Sequence, residues 1–164
     1  MLDPLPFAYR PDRGVEDATV TLFNSILSHL EGPGSHARLL FVDFSSAFNT
    51  IQPHILNNRL LEQFDVSKNL AGWILNFLTC RTQRVRINGA LSDPVCSSTG
   101  SPQGCVLSPL LFILYTNMCR SQYENRLILK YADDSVVVSL LKGGESSHGP
   151  VIDDFLRWCD DSYP

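Results

Sequence analysis

Three acids stand where a carboxylate is costly unless something compensates it. Asp43 ends the apolar run Arg38-Leu39-Leu40-Phe41-Val42, and Asp133 and Asp134 lie between the apolar runs 127–131 and 136–141. Carboxylates at such places lose solvation and repel one another, and a divalent cation relieves both costs. Magnesium takes hard oxygen ligands, commonly one or two carboxylates together with substrate phosphates. Two such ions, about 3.5–4 Å apart, hold the attacking and leaving oxygens of a phosphoryl transfer. Taken alone, Asp133-Asp134 is more simply a turn, because aspartate favours turns.

Other chemistries find little support. His29, His36, His54 and His148 are scattered, and the five cysteines at 80, 96, 105, 119 and 159 form no C-x-x-C pair. No zinc pattern, disulfide framework or disulfide-linked partner is expected, and the chain reads as an intracellular, reduced protein. No G-x-x-x-x-G-K-[ST] phosphate loop and no G-x-S-x-G elbow occurs. The net charge is −4, but residues 81–130 carry a local balance of +4 and residues 133–164 one of −5. A positive stretch that runs into an acidic one suits a polyanion held near bound metal; two ordinary solvated faces are the plainer reading.

The elements that must position the acids follow from periodicity. The 164 residues, 44% hydrophobic and 18% charged, have enough apolar side chains for a core and no run long enough for a membrane span. Val15, Ala18, Leu22, Ile26 and Leu30 have helical spacing, and 38–44 reads as a buried strand. A helix is expected from Pro53 to Phe64, with proline in its first turn. A second is expected after Ser67, an N-cap, with Leu70, Trp73, Ile74, Phe77 and Leu78 as its apolar face. Arg84–Ile87 alternates and Asn88-Gly89 follows, a strong hairpin signal, with 91–97 returning. Residues 109–118 read as a buried helix, 127–141 as a hairpin around Ala132–Ser135, and Phe155, Leu156 and Trp158 as a short last helix. Helices alternating with hairpins predict an α+β fold with an antiparallel sheet.

The acids belong to an ordered set of blocks. These are Phe41-Val42-Asp43-Phe44-Ser45-Ser46-Ala47-Phe48, then Gly100-Ser101-Pro102-Gln103-Gly104 through Phe112, then Tyr131-Ala132-Asp133-Asp134. In this order they resemble motifs A, B and C of reverse transcriptases, with the nearest likeness to the non-LTR (LINE-type) retrotransposon enzymes. Phe7-Ala8-Tyr9-Arg10-Pro11 and Trp73–Leu78 resemble the same family, so the likeness covers nearly the whole chain.

The resemblance implies an RNA-directed DNA polymerase palm with packed helices and part of the fingers: about 1–37 fingers, about 38–164 palm. It implies an RNA template, a DNA primer and dNTP as partners, and Mg2+ as cofactor with Mn2+ as a substitute. Asp43, with the Phe44 carbonyl, and Asp133 would bind metal, and Asp134 would support the site. The Asp43 and Asp133 carboxylates should then share one magnesium ion. Phe48 would lie beneath the sugar as a steric gate, though a lone phenylalanine is more often core. Pro102, Gln103 and Gly104 would floor the nucleotide pocket, and Arg10 would meet phosphate. Arg81, Arg84 and Arg86 would touch the primer or template backbone, or form a solvated strand face. The family usually continues into a lysine-bearing segment and a thumb that are not among these residues. The alternative is therefore a catalytically impaired remnant with weak nucleic-acid binding.

Overall fold

The computed structural model describes residues 3–44, 46–145 and 147–163. The chain forms two compact units. The first runs from Ser46 to Tyr115 and includes Tyr163, and the second is built from the chain on either side of that stretch.

The second unit holds a three-stranded antiparallel sheet. Its strands are β1 (His36–Asp43), β6 (Arg126–Tyr131) and β7 (Asp134–Leu141), in the order β1-β7-β6. The Val-Val-Val run belongs to the central strand. Val137, Val138 and Ser139 have no accessible surface, as expected of a strand covered on both faces. Tyr131 pairs with Asp134, so Ala132 and Asp133 form a two-residue turn with Ala132 at φ 54°. Primed turns of this kind match the twist of the flanking strands.

The outer edge of β6 is occupied by the N-terminal segment. Pro6 makes a parallel bridge to Lys130, and the Phe7 amide donates to the Lys130 carbonyl at 3.0 Å. Lys130 is itself buried. Its ammonium contacts Asp3 at 3.0 Å and donates to the Thr116 and Cys119 carbonyls at 2.8 and 2.6 Å. A buried charge persists when it is paired and hydrogen-bonded in this way.

Two helices complete this unit. α1 (Val15–Leu30) spans the predicted range, but none of its residues is buried. Ala18, Leu22 and Ile26 are half-covered, whereas Val15 and Leu30 of the expected face are exposed. α5 (Gly149–Ser162) starts earlier than expected and buries Val151, Phe155, Trp158 and Ser162, leaving Leu156 in solvent. Those four recur at helical spacing on one stripe, which Leu156 misses.

His148 immediately precedes α5, and its Nδ1 lies 2.7 Å from the Ser139 hydroxyl. Burial, and then the charges of Arg38 and Arg126, hold the imidazole below its usual pKa. The unfolded chain therefore binds the proton more readily, and stability is lost as pH falls. Titration should show stability declining as pH drops below the ordinary histidine value of about 6.5. His148→Gln should flatten that limb in equilibrium unfolding at pH 5 to 7.

The first unit carries helices α2 (Pro53–Gln63), α3 (Lys68–Leu78) and α4 (Leu107–Tyr115). Pro53 occupies the first turn of α2, and the Ser67 hydroxyl caps α3 by accepting from the Leu70 amide at 3.4 Å. The face of α3 differs from expectation. Ala71 and Leu78 are buried, while Leu70 and Trp73 are exposed, with Trp73 stacked on Phe77.

The predicted hairpin is present as β3 (Arg86–Ile87) and β4 (Ala90–Leu91), with Asn88 and Gly89 both at positive φ. The return strand is broken. β5 (Val95–Ser97) pairs instead with β2 (Arg81–Gln83), because residues 92–94 interrupt the ladder with a proline.

A tight loop joins β5 to α4. The Gly100 amide donates to the Ile51 carbonyl, and the Ser101 amide to that of Phe48 at 2.7 Å. Gly100 has φ +73°, and a Cβ there would meet Asn49 backbone atoms at 2.6–2.9 Å. Gly100→Ala should therefore cost about 1–3 kcal/mol or more in chemical denaturation, from backbone strain and from the neighbour it displaces.

Candidate active site

The strand register brings two of the three acids face to face. Asp43 is the last residue of β1 and Asp134 the first of β7, and they are direct cross-strand partners. Asp133 occupies the turn just before Asp134. All three are exposed. Like charges directly opposite one another destabilise a ladder. The ion pairs among the described residues, Lys130–Asp3 and Arg157–Asp154, leave these acids without a cationic partner. Ala132, between Tyr131 and Asp133, adds local strain, since a non-glycine residue at positive φ is disfavoured.

The donor set fits a hard cation. Among the described residues, no three His, Cys, Asp or Glu side chains converge into a metal cage. Magnesium does not require one, because it keeps waters and accepts one or two carboxylates with substrate oxygens. Asp43 and Asp134 offer such a pair. A cavity of about 430 Å³ adjoins them, lined by Ala18, Leu22, Phe41 and Val136 as well as by the two acids.

Phe44 follows Asp43, and its ring packs against Phe155 and Trp158 with centroids 6.1 and 6.2 Å away. This aromatic cluster anchors the end of β1 to α5. Arg10 is turned inward. Its Nη2 donates to the Asp3 carbonyl at 2.6 Å, which ties the 9–13 loop to the start of the chain.

Tyr9 was not singled out by its spacing. It is exposed, with φ 58°, just beyond the segment paired with β6. Burial, and then the charges of Asp133 and Tyr131, raise the pKa of its phenol. Its proximity to Asp133 follows from the bridge at Pro6, a pairing across more than 120 residues that no local pattern encodes.

The remaining candidates belong to the first unit. Phe48 lies in the 3-10 turn Ala47–Asn49 and packs edge-on against Phe112, with centroids 5.4 Å apart. Pro102 is half-buried, Gln103 and Gly104 are exposed, and Gly104 has φ +74° with open space around it. Arg84 and Arg86 are exposed on the ribbon.

Arg81, expected at a nucleic-acid backbone, is largely engaged by its own chain. Its Nε donates to the Leu78 carbonyl at 3.1 Å, and its Nη2 to those of Thr99 and Gly100. A guanidinium so held shapes the loop before Pro102. With Pro102 and Gln103 it lines a polar cavity of about 320 Å³.

Residues 2–163 match the family model described as reverse transcriptase (RNA-dependent DNA polymerase). The RNA-directed DNA polymerase from mobile element jockey of Drosophila melanogaster is 26% identical over 94% of this chain. The chain spans 18% of that relative's length. Telomerase from Candida albicans, solved in complex with a fragment of telomeric RNA, superposes on 96% of this chain and 29% of its own. That superposition has TM-score 0.72 and 13% identity. Apo telomerase from Candida tropicalis, truncated from the C-terminal domain, covers 89% of this chain and 31% of its own, with TM-score 0.61 and 16% identity. At such identities these structures speak for the fold, an α+β arrangement of helices and antiparallel sheet. The match over nearly every residue, with the three motif blocks in order, makes this chain a member of the reverse transcriptase family, a domain of the non-LTR retrotransposon kind.

Proposed function

We propose that this domain performs RNA-directed DNA synthesis by joining a dNTP to a primer 3′-OH, with magnesium held by Asp43, Asp133 and Asp134. The observation that carries this reading is the cross-strand pair of Asp43 and Asp134 with Asp133 beside it, and no cation engaging them among the described residues. Magnesium, or manganese in its place, supplies the charge that stabilises the transferring phosphoryl group. The chain's own part is to hold the carboxylates. β1 and β7 are paired neighbours in one sheet, so Asp43 and Asp134 sit side by side to receive the ion.

Phe44 would offer its carbonyl as a further ligand, and its half-buried ring, packed on Phe155 and Trp158, fixes the strand end. Phe48 serves as the gate beneath the sugar, and Pro102, Gln103 and Gly104 line the nucleotide site. Arg84 and Arg86 meet the backbone of the RNA template or DNA primer. That one structural neighbour is a telomerase solved with RNA is consistent with such partners. In this reading residues from about 38 onward are palm and those before them are part of the fingers.

Primer extension on an RNA template, with magnesium or manganese, tests the proposal. Incorporation by the parent that vanishes in Asp133→Ala is the expected result. A folded parent that incorporates nothing under either metal would overturn it and leave nucleic-acid binding as the remaining role.

A further inference from the structure

The 320 Å³ cavity of the first unit has a lining suited to one kind of ligand. Besides Arg81, Pro102 and Gln103, it is walled by Asn49, Gln83, Ser97 and Ser101. Ser101 is 2% exposed, and its hydroxyl has no hydrogen-bond partner among the described residues. A buried hydroxyl left unsatisfied is a cost that native structures seldom carry without reason. Its place is fixed by backbone bonds, Ser101 amide to Phe48 carbonyl and Gly100 amide to Ile51 carbonyl. Asn49 is held equally closely, since its backbone fills the space beside Gly100.

The chemistry of the walls narrows the ligand. Asn49, Gln83 and Gln103 each present a carboxamide, which donates and accepts, and Ser101 can do either. The one formal charge is that of Arg81, whose Nε and Nη2 already serve backbone carbonyls. A phosphate offers acceptors alone and would leave the carboxamide oxygens unpaired. The edge of a nucleobase carries donors and acceptors side by side in a plane. Such edges are read by asparagine, glutamine and serine side chains.

We propose that this cavity receives the edge of an unpaired nucleobase from a bound nucleic-acid strand, with Gln83 and Ser101 as its hydrogen-bonding groups. The inference rests on the reading of this domain as nucleic-acid-binding and adds a base-contacting pocket to it. It does not depend on catalysis by the acids.

Fluorescence anisotropy with a labelled eight-nucleotide unpaired RNA, and with an abasic strand of equal length, tests it in the absence of divalent metal. Gln83→Ala should weaken binding of the base-bearing strand about ten-fold or more, from the loss of a base-edge contact. Ser101→Ala should act in the same direction without loss of fold, because its hydroxyl bonds nothing among the described residues. Neither should alter binding of the abasic strand or the slope of affinity against salt, which counts phosphate contacts. Arg84→Ala, by contrast, should weaken both strands alike. Equal losses on the two strands for Gln83→Ala, or no loss on either, would overturn the inference. So would a parent that binds neither strand. Because the assay omits metal, a failed primer extension and a failed base pocket are separate results.

Discussion

Asp43→Asn is expected to lower template-directed nucleotide incorporation by roughly three orders of magnitude or more while leaving stability unchanged or raised. On the proposed reading, the loss follows from removing one of the carboxylates that would hold magnesium. A metal-ion contribution worth several kcal/mol to the transition state corresponds to about a thousand-fold or more in rate. The unchanged or increased stability follows from the register. Asp43 and Asp134 face each other across β1 and β7, both are exposed, and neither takes part in the ion pairs seen among the described residues. Without metal, neutralising one of them relieves a like-charge contact.

The paired measurement is primer extension and thermal unfolding on the same variant, each with and without magnesium. Magnesium should raise the midpoint of the parent and have less effect on Asp43→Asn, since a ligand that binds only the native state stabilises it. A variant that loses activity and stability together would point to a structural role for Asp43. One that keeps activity would remove it from the site.

The largest stability effect should come from Lys130→Met. Lys130 and Asp3 are 5% and 3% exposed, and the ammonium also serves the Thr116 and Cys119 carbonyls. Removing one partner of a buried pair leaves the other charged and uncompensated, at a cost of about 3–5 kcal/mol. That is a large part of the about 5–15 kcal/mol that holds a typical domain together. The double variant Asp3→Leu with Lys130→Met should recover much of the loss, because a buried ion pair replaced by apolar groups is often neutral.

Urea unfolding of parent, single and double variants forms the cycle that tests this. If the two single losses simply add, the pair is not coupled. Lys130 is also where the N-terminal segment pairs with β6, three residues before Asp133. Loss of the pair should therefore loosen the approach of Tyr9 to the acids, visible as a fall of the Tyr9 phenol pKa toward its ordinary value.

The elements close to the site were legible in the chain itself. The hairpin 127–141 could be read because two apolar runs of strand length, rich in β-branched residues, flank a polar tip. Asn88-Gly89 announced a turn that needs positive φ at both residues, and Ser67 and Pro53 marked helix starts by their capping chemistry. Asp43 drew attention because an acid at the end of an apolar strand is costly, and the order of the three blocks then carried the family.

What the local pattern could not carry was any pairing between distant segments. Asp43 faces Asp134 rather than Asp133 because of the register between strands separated by ninety residues, and a shift of one residue would have reversed the face. Arg10 and Arg81 read as free cations, yet they fold back on backbone carbonyls whose positions depend on loops far away in sequence. The same holds for the apolar faces of α1 and α3, where periodicity identifies a stripe but not the surface that meets it. Residue types and their order thus determined the family, the elements and the candidate acids. The tertiary structure alone decided which acids stand opposite each other, which arginines are spent on the fold, and that Ser101 is buried with its hydroxyl unpaired among the described residues, because each depends on a contact between segments that local propensity does not encode.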